Sequence, residues 1–182
     1  MGCCVRTDKP LPQPRGVLAL DLDGTVWDHH DISRLKPPFQ PLARGRVVDS
    51  EGVVVTLNHG VEAVLSAAES AGYVIASLSW NNPEIATEAL KAFGLHERFH
   101  YHCIHPLPVK HRCLRELLNL IHEATGTSLG PGDVIYVDDK PVHVADISSY
   151  VGSVRFFLCD RSRDEQCLIR VAEEISGRVP YV

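Results

Sequence analysis

The chain reads as an α/β protein: a doubly wound, mainly parallel sheet with helices on both faces, a small β-hairpin flap and no large cap. Three observations predict this. Short apolar runs alternate with helical stretches, strand then helix, five times along the sequence. The runs are too apolar for a half-exposed sheet and read as strands buried on both faces. Gly and Pro punctuate the junctions, Gly72 and Gly94 after helices and Pro83 and Pro108 before them. Such alternation requires crossover helices and therefore parallel strands.

In chain order, residues 16–22 form the first strand, with Val17-Leu18-Ala19-Leu20 as its apolar run. Residues 27–57 are irregular and rich in proline. Within them Arg46 to Val55 reads as a hairpin, because Asp49-Ser50-Glu51-Gly52 carries turn chemistry between two β-branched runs. Residues 60–71 are rich in Ala and Glu and form a helix that Gly72 closes. Tyr73 to Ser79 is the second buried strand. Pro83 opens a helix that reaches Phe93. Residues 99–104 are a short strand, and Pro108 opens a long helix to about Ala124. Asp133 to Val137 is a strand ending in Asp138-Asp139, with a helix after Pro141. Val154 to Leu158 is the last strand and residues 163–176 the last helix.

Bulk properties narrow the class. The 182 residues, 45% hydrophobic and 23% charged, suit one globular domain over 1–182, with a flexible leader at 1–14 and a flap insertion at 27–57. A net charge of −5 gives no nucleic-acid footprint. No apolar run nears the ~20 residues that span a bilayer, and no secretory signal stands at the start. A cytoplasmic location without membrane contact is expected. The six cysteines form no Cys-x-x-Cys pair, which argues against a zinc ribbon; Cys159 and Cys167 are placed to bridge a strand to the next helix. Met1-Gly2-Cys3-Cys4 hints at lipidation, but Arg6 stands where the myristoylation pattern wants Ser or Thr.

The chemistry sits at strand ends. Asp21-Leu22-Asp23-Gly24-Thr25 follows the first buried strand directly. Ligands bind in the crevice at the carboxyl ends of such strands, and two carboxylates there need a cation or a phosphate chemistry to offset their charge. Ser79, Lys110 and Asp138-Asp139 fall at other strand ends or early in a helix, so loops at one sheet edge can bring all four groups together. Each alone is ambiguous; a Ser after a strand is commonly a cap and a Lys in a helix commonly solvated. Together they are coherent. Asp21 can attack phosphorus and form an aspartyl-phosphate. Asp23 can protonate the leaving oxygen and then activate water. Lys110 offsets charge, and Ser79 with backbone N–H groups of Trp80 and Asn81 can hold phosphate oxygens. Asp21, Asp23 through its carbonyl, and Asp138 or Asp139 can supply oxygens to Mg²⁺.

These four motifs, in this order, resemble those of the haloacid dehalogenase superfamily over nearly the whole chain after residue 15. Asp-Leu-Asp-Gly-Thr-Val-Trp from Asp21, then Lys36-Pro37-Pro38-Phe39, the hairpin and Asp138-Asp139 most resemble its magnesium-dependent phosphatases. The resemblance implies a Rossmann-like core, Mg²⁺ and hydrolysis of phosphomonoesters. It implies Asp21 as nucleophile, Asp23 as acid and base, Ser79 as phosphate ligand, Lys110 as charge stabiliser and Asp139, or Asp138, as metal ligand. The second motif departs from the family: Ser79-Trp80-Asn81 stands where animal members carry Ser-Arg-Thr, so substrate preference does not carry over. Ser77 competes with Ser79 if the strand ends two residues earlier.

The interval from Ser79 to Lys110 leaves no room for a separate cap, so an open site is expected. Trp27 and Phe39 either flank the substrate or pack in the core. His29 and His30 lie in the flap, where it overhangs the phosphate. His100, His102 and His105 read as satisfied core histidines, with zinc binding as the alternative. Expected substrates are a phosphorylated small molecule or a phosphoprotein. A non-catalytic phosphate-binding module on the same fold, or another phosphotransferase of the superfamily, are the alternatives.

Overall fold

A computed structural model describes residues 2–177. Met1 of the Met1-Gly2-Cys3-Cys4 string and residues 178–182 of the expected domain lie outside them. The strands in chain order are β1 (Val5–Arg6), β2 (Gly16–Leu20), β3 (Gln40–Ala43), β4 (Arg46–Val48), β5 (Val54–Thr56), β6 (Tyr73–Trp80), β7 (Tyr101–His105), β8 (Val134–Asp138) and β9 (Arg155–Leu158). The helices are α1 (Val61–Ser70), α2 (Pro83–Ala92), α3 (Lys110–Thr125), α4 (Val144–Tyr150) and α5 (Cys167–Ile175). Six strands form one sheet in the order β1-β7-β6-β2-β8-β9, parallel except for β1.

Strand alternation divides the core in two. Leu18, Leu20, Ile75, Ile104, Ile135 and Val137 face α1, α2 and α5. Val17, Ala19, Val74, Ala76, Leu78, Val134 and Tyr136 face α3 and α4. Every residue of β2 is buried, which accounts for its unbroken apolar run.

Three expectations need adjustment. The flap is a three-stranded antiparallel sheet, β3-β4-β5, rather than a hairpin. Its extra strand contains Pro41, which an edge strand tolerates because the missing N–H faces away from the ladder. The turn forms as read: Asp49 accepts the N–H groups of Val53 at 2.7 Å, of Glu51 at 3.0 Å and of Lys36 at 3.0 Å. Within the segment expected as a flexible leader, residues 3–7 are tied to the sheet edge instead. β1 pairs with β7, Glu116 accepts the N–H groups of Cys3 and Cys4, and Cys4 is disulfide-bonded to Cys103. These ties are long-range, between segments about a hundred residues apart. The last helix starts at Cys167, not 163, because Asp160 and Asp164 hold turns through the N–H groups of Ser162 and Gln166. Cys159 and Cys167 are joined by a disulfide. Among the described residues no helix is long and apolar enough to cross a membrane.

Candidate active site

The site forms at the carboxyl ends of β2, β6 and β8. The alternation that points Val17 and Ala19 toward α3 carries on to Asp21, and the same parity on β8 sends Val134, Tyr136 and Asp138 that way. Lys110 opens α3 and shares its buried stripe with Cys113, Leu114, Leu117 and Ile121. The three charges meet inside the protein. Lys110 Nζ donates to Asp21 Oδ1 and to Asp138 Oδ2, both at 2.7 Å, and to the Tyr136 hydroxyl at 3.3 Å. The Tyr136 hydroxyl donates to Asp138, whose other oxygen accepts the Lys140 N–H at 2.9 Å.

Asp139 completes an acid cluster, with carboxylate oxygens of Asp21, Asp138 and Asp139 all within 4.8 Å of one another. Asp138 has both oxygens committed, whereas Asp139 Oδ1 is buried without a partner. Hard oxygen donors grouped around an unsatisfied carboxylate fit a small divalent cation. Gly24 makes the approach of Asp139 possible. It sits at φ 74°, and a Cβ there would run into the Asp139 carboxylate.

Asp23 is held apart from this cluster. Its Oδ1 accepts Trp27 Nε1–H at 2.7 Å and the Ile32 N–H at 3.1 Å, and its Oδ2 accepts the Asn81 amide at 2.7 Å. Burial lifts the Asp23 carboxyl to about 7, against the Trp27 hydrogen bond and with help from the Asp21 charge. Burial likewise pushes Asp21 up to about 6 despite Lys110. Asp138 goes the other way: burial opposes its ionisation, but Lys110 holds its carboxyl below the usual range. Burial also works against the Lys110 charge, yet Asp21 and Asp138 hold the ammonium above its ordinary value.

The two serine candidates differ in occupation. Ser77 Oγ is hydrogen-bonded to His102 Nδ1 at 3.1 Å, whereas Ser79 Oγ is buried and unpartnered. Asn81, expected at the phosphate, is placed against Asp23 instead, and its side-chain carbonyl accepts the Asn82 N–H. Trp27 is fully buried, stacks on Phe93 with ring centroids 5.8 Å apart and orients Asp23; Phe39 is also buried. Neither lines the cavity beside Asp21. Among the described residues lining the cavity beside Asp21, Trp80 is the exposed large aromatic side chain. This cavity of about 530 Å³ spans Asp21, Asp23, Lys110, Asp139, Trp80 and His30; His29 is not part of its wall. A second cavity of the same volume lies beside Asn58, Arg161 and the Cys159–Cys167 disulfide, and among the described residues it has no comparable acid cluster.

His100 Nδ1 accepts the Ile75 N–H at 2.9 Å, and His102 bonds Ser77 and the His96 carbonyl, so both are core histidines satisfied by hydrogen bonds. Asn58 is a positioning residue that motif reading passes over. Its amide donates to the carbonyls of Gly24 and Thr25, both at 2.9 Å, and clamps the loop that carries Asp23. A lone Asn after a flap gives no signal of such a long-range contact.

A parallel sheet carrying two aspartates after its central strand, a buried lysine between carboxylates and a further acid pair on the adjacent strand is the arrangement that the resemblance to the haloacid dehalogenase superfamily implies. The chain belongs to the acid phosphatase family, whose family model matches residues 12–162. No curated protein matches it. Solved structures share the fold. The phosphatase domain of a Bacteroides fragilis protein, complexed with Mg, is 16% identical with a TM-score of 0.54 over 92% of this chain, which spans only 41% of that one. A Streptomyces avermitilis protein described as a HAD family hydrolase is 17% identical, TM-score 0.53, over 93% of this chain and 89% of its own. The 3-deoxy-D-manno-octulosonate 8-phosphate phosphatase of Moraxella catarrhalis, in complex with magnesium, phosphate and its sugar, is 14% identical, TM-score 0.50, over 92% and 88%.

Proposed function

We propose that this chain is a Mg²⁺-dependent phosphomonoester hydrolase that works through an aspartyl-phosphate on Asp21, in the manner of magnesium-dependent phosphatases. The observation that carries the proposal is the buried contact of Lys110 with Asp21 and Asp138, beside an Asp139 oxygen left without a partner. Asp21, Asp139 and Asp138 would hold the ion, with the Asp23 carbonyl as a further oxygen. Bound there, Mg²⁺ would neutralise the charge that two anions, carboxylate and phosphate, bring together.

The residues then divide the work. Lys110 and the free Ser79 hydroxyl hold phosphate oxygens; the Asn81 backbone N–H, expected to join them, donates to the His105 carbonyl at 2.9 Å instead. An Asp21 oxygen attacks phosphorus and the ester P–O bond breaks, its electron pair leaving with the alcohol oxygen. Asp23, raised by burial to about 7 and so partly protonated at neutral pH, gives that oxygen its proton. Asp23, now a carboxylate, takes a proton from water, whose oxygen attacks phosphorus and releases inorganic phosphate from Asp21. The three hydrogen bonds to Asp23 keep it outside the acid cluster, which separates the proton-transfer group from the nucleophile. Residues 27–57 act as a flap beside the site within a single domain, and the substrate is a phosphorylated small molecule or a phosphoprotein.

The test is hydrolysis of p-nitrophenyl phosphate by the purified protein with Mg²⁺ and with EDTA. Nitrophenol release that depends on Mg²⁺ is expected. Release that persists undiminished in EDTA rules out the metal requirement, and no release from folded protein under either condition counts against the hydrolase reading.

A further inference from the structure

The cavity beside Asp21 has an apolar rim for which the hydrolytic chemistry has no use. Trp80 ends β6, directly after Ser79, and remains 53% exposed, while Trp27, the other tryptophan, is fully buried. Strand alternation turns Trp80 to the side of Leu78 and α4, opposite to Ser79. Two contacts fix the ring. Its Nε1–H donates to the Pro106 carbonyl at 3.1 Å, and it meets His143 edge-on, centroids 6.2 Å apart and planes at 87°. Val142, 65% exposed, and Pro106 line the same cavity.

A single exposed apolar side chain needs no explanation. A tethered indole beside an exposed valine and a proline, in the wall of a cavity that also holds buried charges, does. The phosphoryl group belongs with Lys110 and Ser79, so the part of a substrate that reaches this rim is the leaving group. An indole held in one orientation before a ligand arrives loses little freedom on binding and favours a flat partner. The rim also disfavours a second anionic group. Among the described residues lining the cavity, Lys140 is the one cation besides Lys110, and it is paired with Asp139 at 3.3 Å. Asp31 adds negative charge to the same wall.

We propose that Trp80 contacts the substrate and determines specificity, selecting phosphomonoesters whose leaving group is a flat, uncharged ring. This rests on the phosphatase reading above. An aromatic ring and the CH face of a sugar ring share the required shape, and the experiment separates them.

Steady-state kinetics of the Mg²⁺-loaded protein would be compared for 1-naphthyl phosphate, glucose 6-phosphate and open-chain glycerol 3-phosphate, in wild type, Trp80→Ala and Trp80→Phe. Stacking of two rings contributes about 0.5–1.5 kcal/mol, so Trp80→Ala should lower the naphthyl-to-glycerol ratio of kcat/KM about twofold to twelvefold. The loss should fall mainly on KM, and Trp80→Phe should restore most of it. A parallel fall in the glucose-to-glycerol ratio assigns the platform to sugar rings as well; a fall confined to the naphthyl ester assigns it to aromatic rings. A ratio unchanged for both ring substrates overturns the proposal.

Binding provides a readout without turnover. Phenylphosphonate and methylphosphonate, which resist hydrolysis, would be titrated against tryptophan fluorescence. Phenylphosphonate should bind several-fold more tightly and quench emission in wild type but not in Trp80→Phe, where only the buried Trp27 remains. Equal affinity for the two phosphonates, or the same quench in Trp80→Phe, overturns the proposal. A protein that bound phenylphosphonate in this way yet hydrolysed no ester would lose the phosphatase reading and keep the ring-binding one.

Discussion

Two charge clusters in this molecule use the same groups to different ends. At the carboxyl ends of the strands, Lys110 lies buried between Asp21 and Asp138, with Asp139 beside them. On the flank, Arg98 pairs with Glu62 and Glu69, Glu69 also takes Lys9, and Lys9 Nζ donates to the Arg98 carbonyl. The flank network is partly exposed and has as many cations as anions, and Glu69 is held below its usual range, with burial outweighed by Arg98 and Lys9. The strand-end cluster has three carboxylates to one buried ammonium, the exposed Lys140 reaching only Asp139 at 3.3 Å, and burial forces Asp21 up to about 6. The flank stitches the leader, α1 and the turn before β7 together. The strand-end cluster holds charges that are costly without a further cation, and such an arrangement suits chemistry rather than stability.

The largest expected effects separate two residues of the buried cluster. Asp21→Asn should abolish turnover, by at least about a thousandfold, because the nucleophile is gone. It should leave the melting temperature unchanged or raise it, since it removes one of three crowded carboxylates while Lys110 keeps Asp138. Lys110→Met should also abolish turnover but should destabilise the fold by about 3–5 kcal/mol, because it strands buried carboxylates without a partner. Thermal denaturation and p-nitrophenyl phosphate kinetics on both variants check the pair. Equal destabilisation by the two would erase the contrast.

Arg98→Ala should cost only about 1 kcal/mol and leave kcat/KM as it is. Added salt should weaken this contribution, while Lys110→Met should lose the same stability at low and high ionic strength. A denaturant titration at two salt concentrations reads both.

A smaller effect comes from histidines in neither cluster. Burial pushes His100 and His102 down to about 4 from an ordinary 6.5. The folded protein then binds fewer protons than the unfolded chain between those values. Their contribution is present above pH 6.5 and is lost as pH falls toward 4. His102→Gln should flatten the acid limb of a melting-temperature profile over that window; an unchanged limb would remove His102 from the account of acid sensitivity.

Much of the fold was legible in the sequence because it rests on local signals. Buried parallel strands announce themselves as unbroken apolar runs, and Gly72, Gly94 and Pro83 mark helix ends by their own backbone preferences. Order and placement in the sequence pointed to Asp21, Lys110 and Asp138-Asp139 as neighbours, and these side chains meet; Ser79 Oγ makes no hydrogen bond with them. What was hidden depends on contacts far apart in the chain. No local pattern says that Asn81 will bond Asp23, that Asn58 will clamp the Gly24 loop, or that Trp27 will turn inward to Asp23 while Trp80 stays outside. The third flap strand was hidden by its proline, and the packing of residues 3–7 by the distance to their partners on β7 and α3.

The most direct measurement is a search for the covalent intermediate itself. Asp23→Asn should slow release of phosphate from Asp21, so the protein mixed with substrate and Mg²⁺, then quenched in acid, should carry one phosphoryl group on the peptide containing Asp21. The same peptide from Asp21→Asn should carry none. A phosphoryl group found elsewhere, or rapid turnover with no modified peptide in either protein, would contradict nucleophilic attack by Asp21.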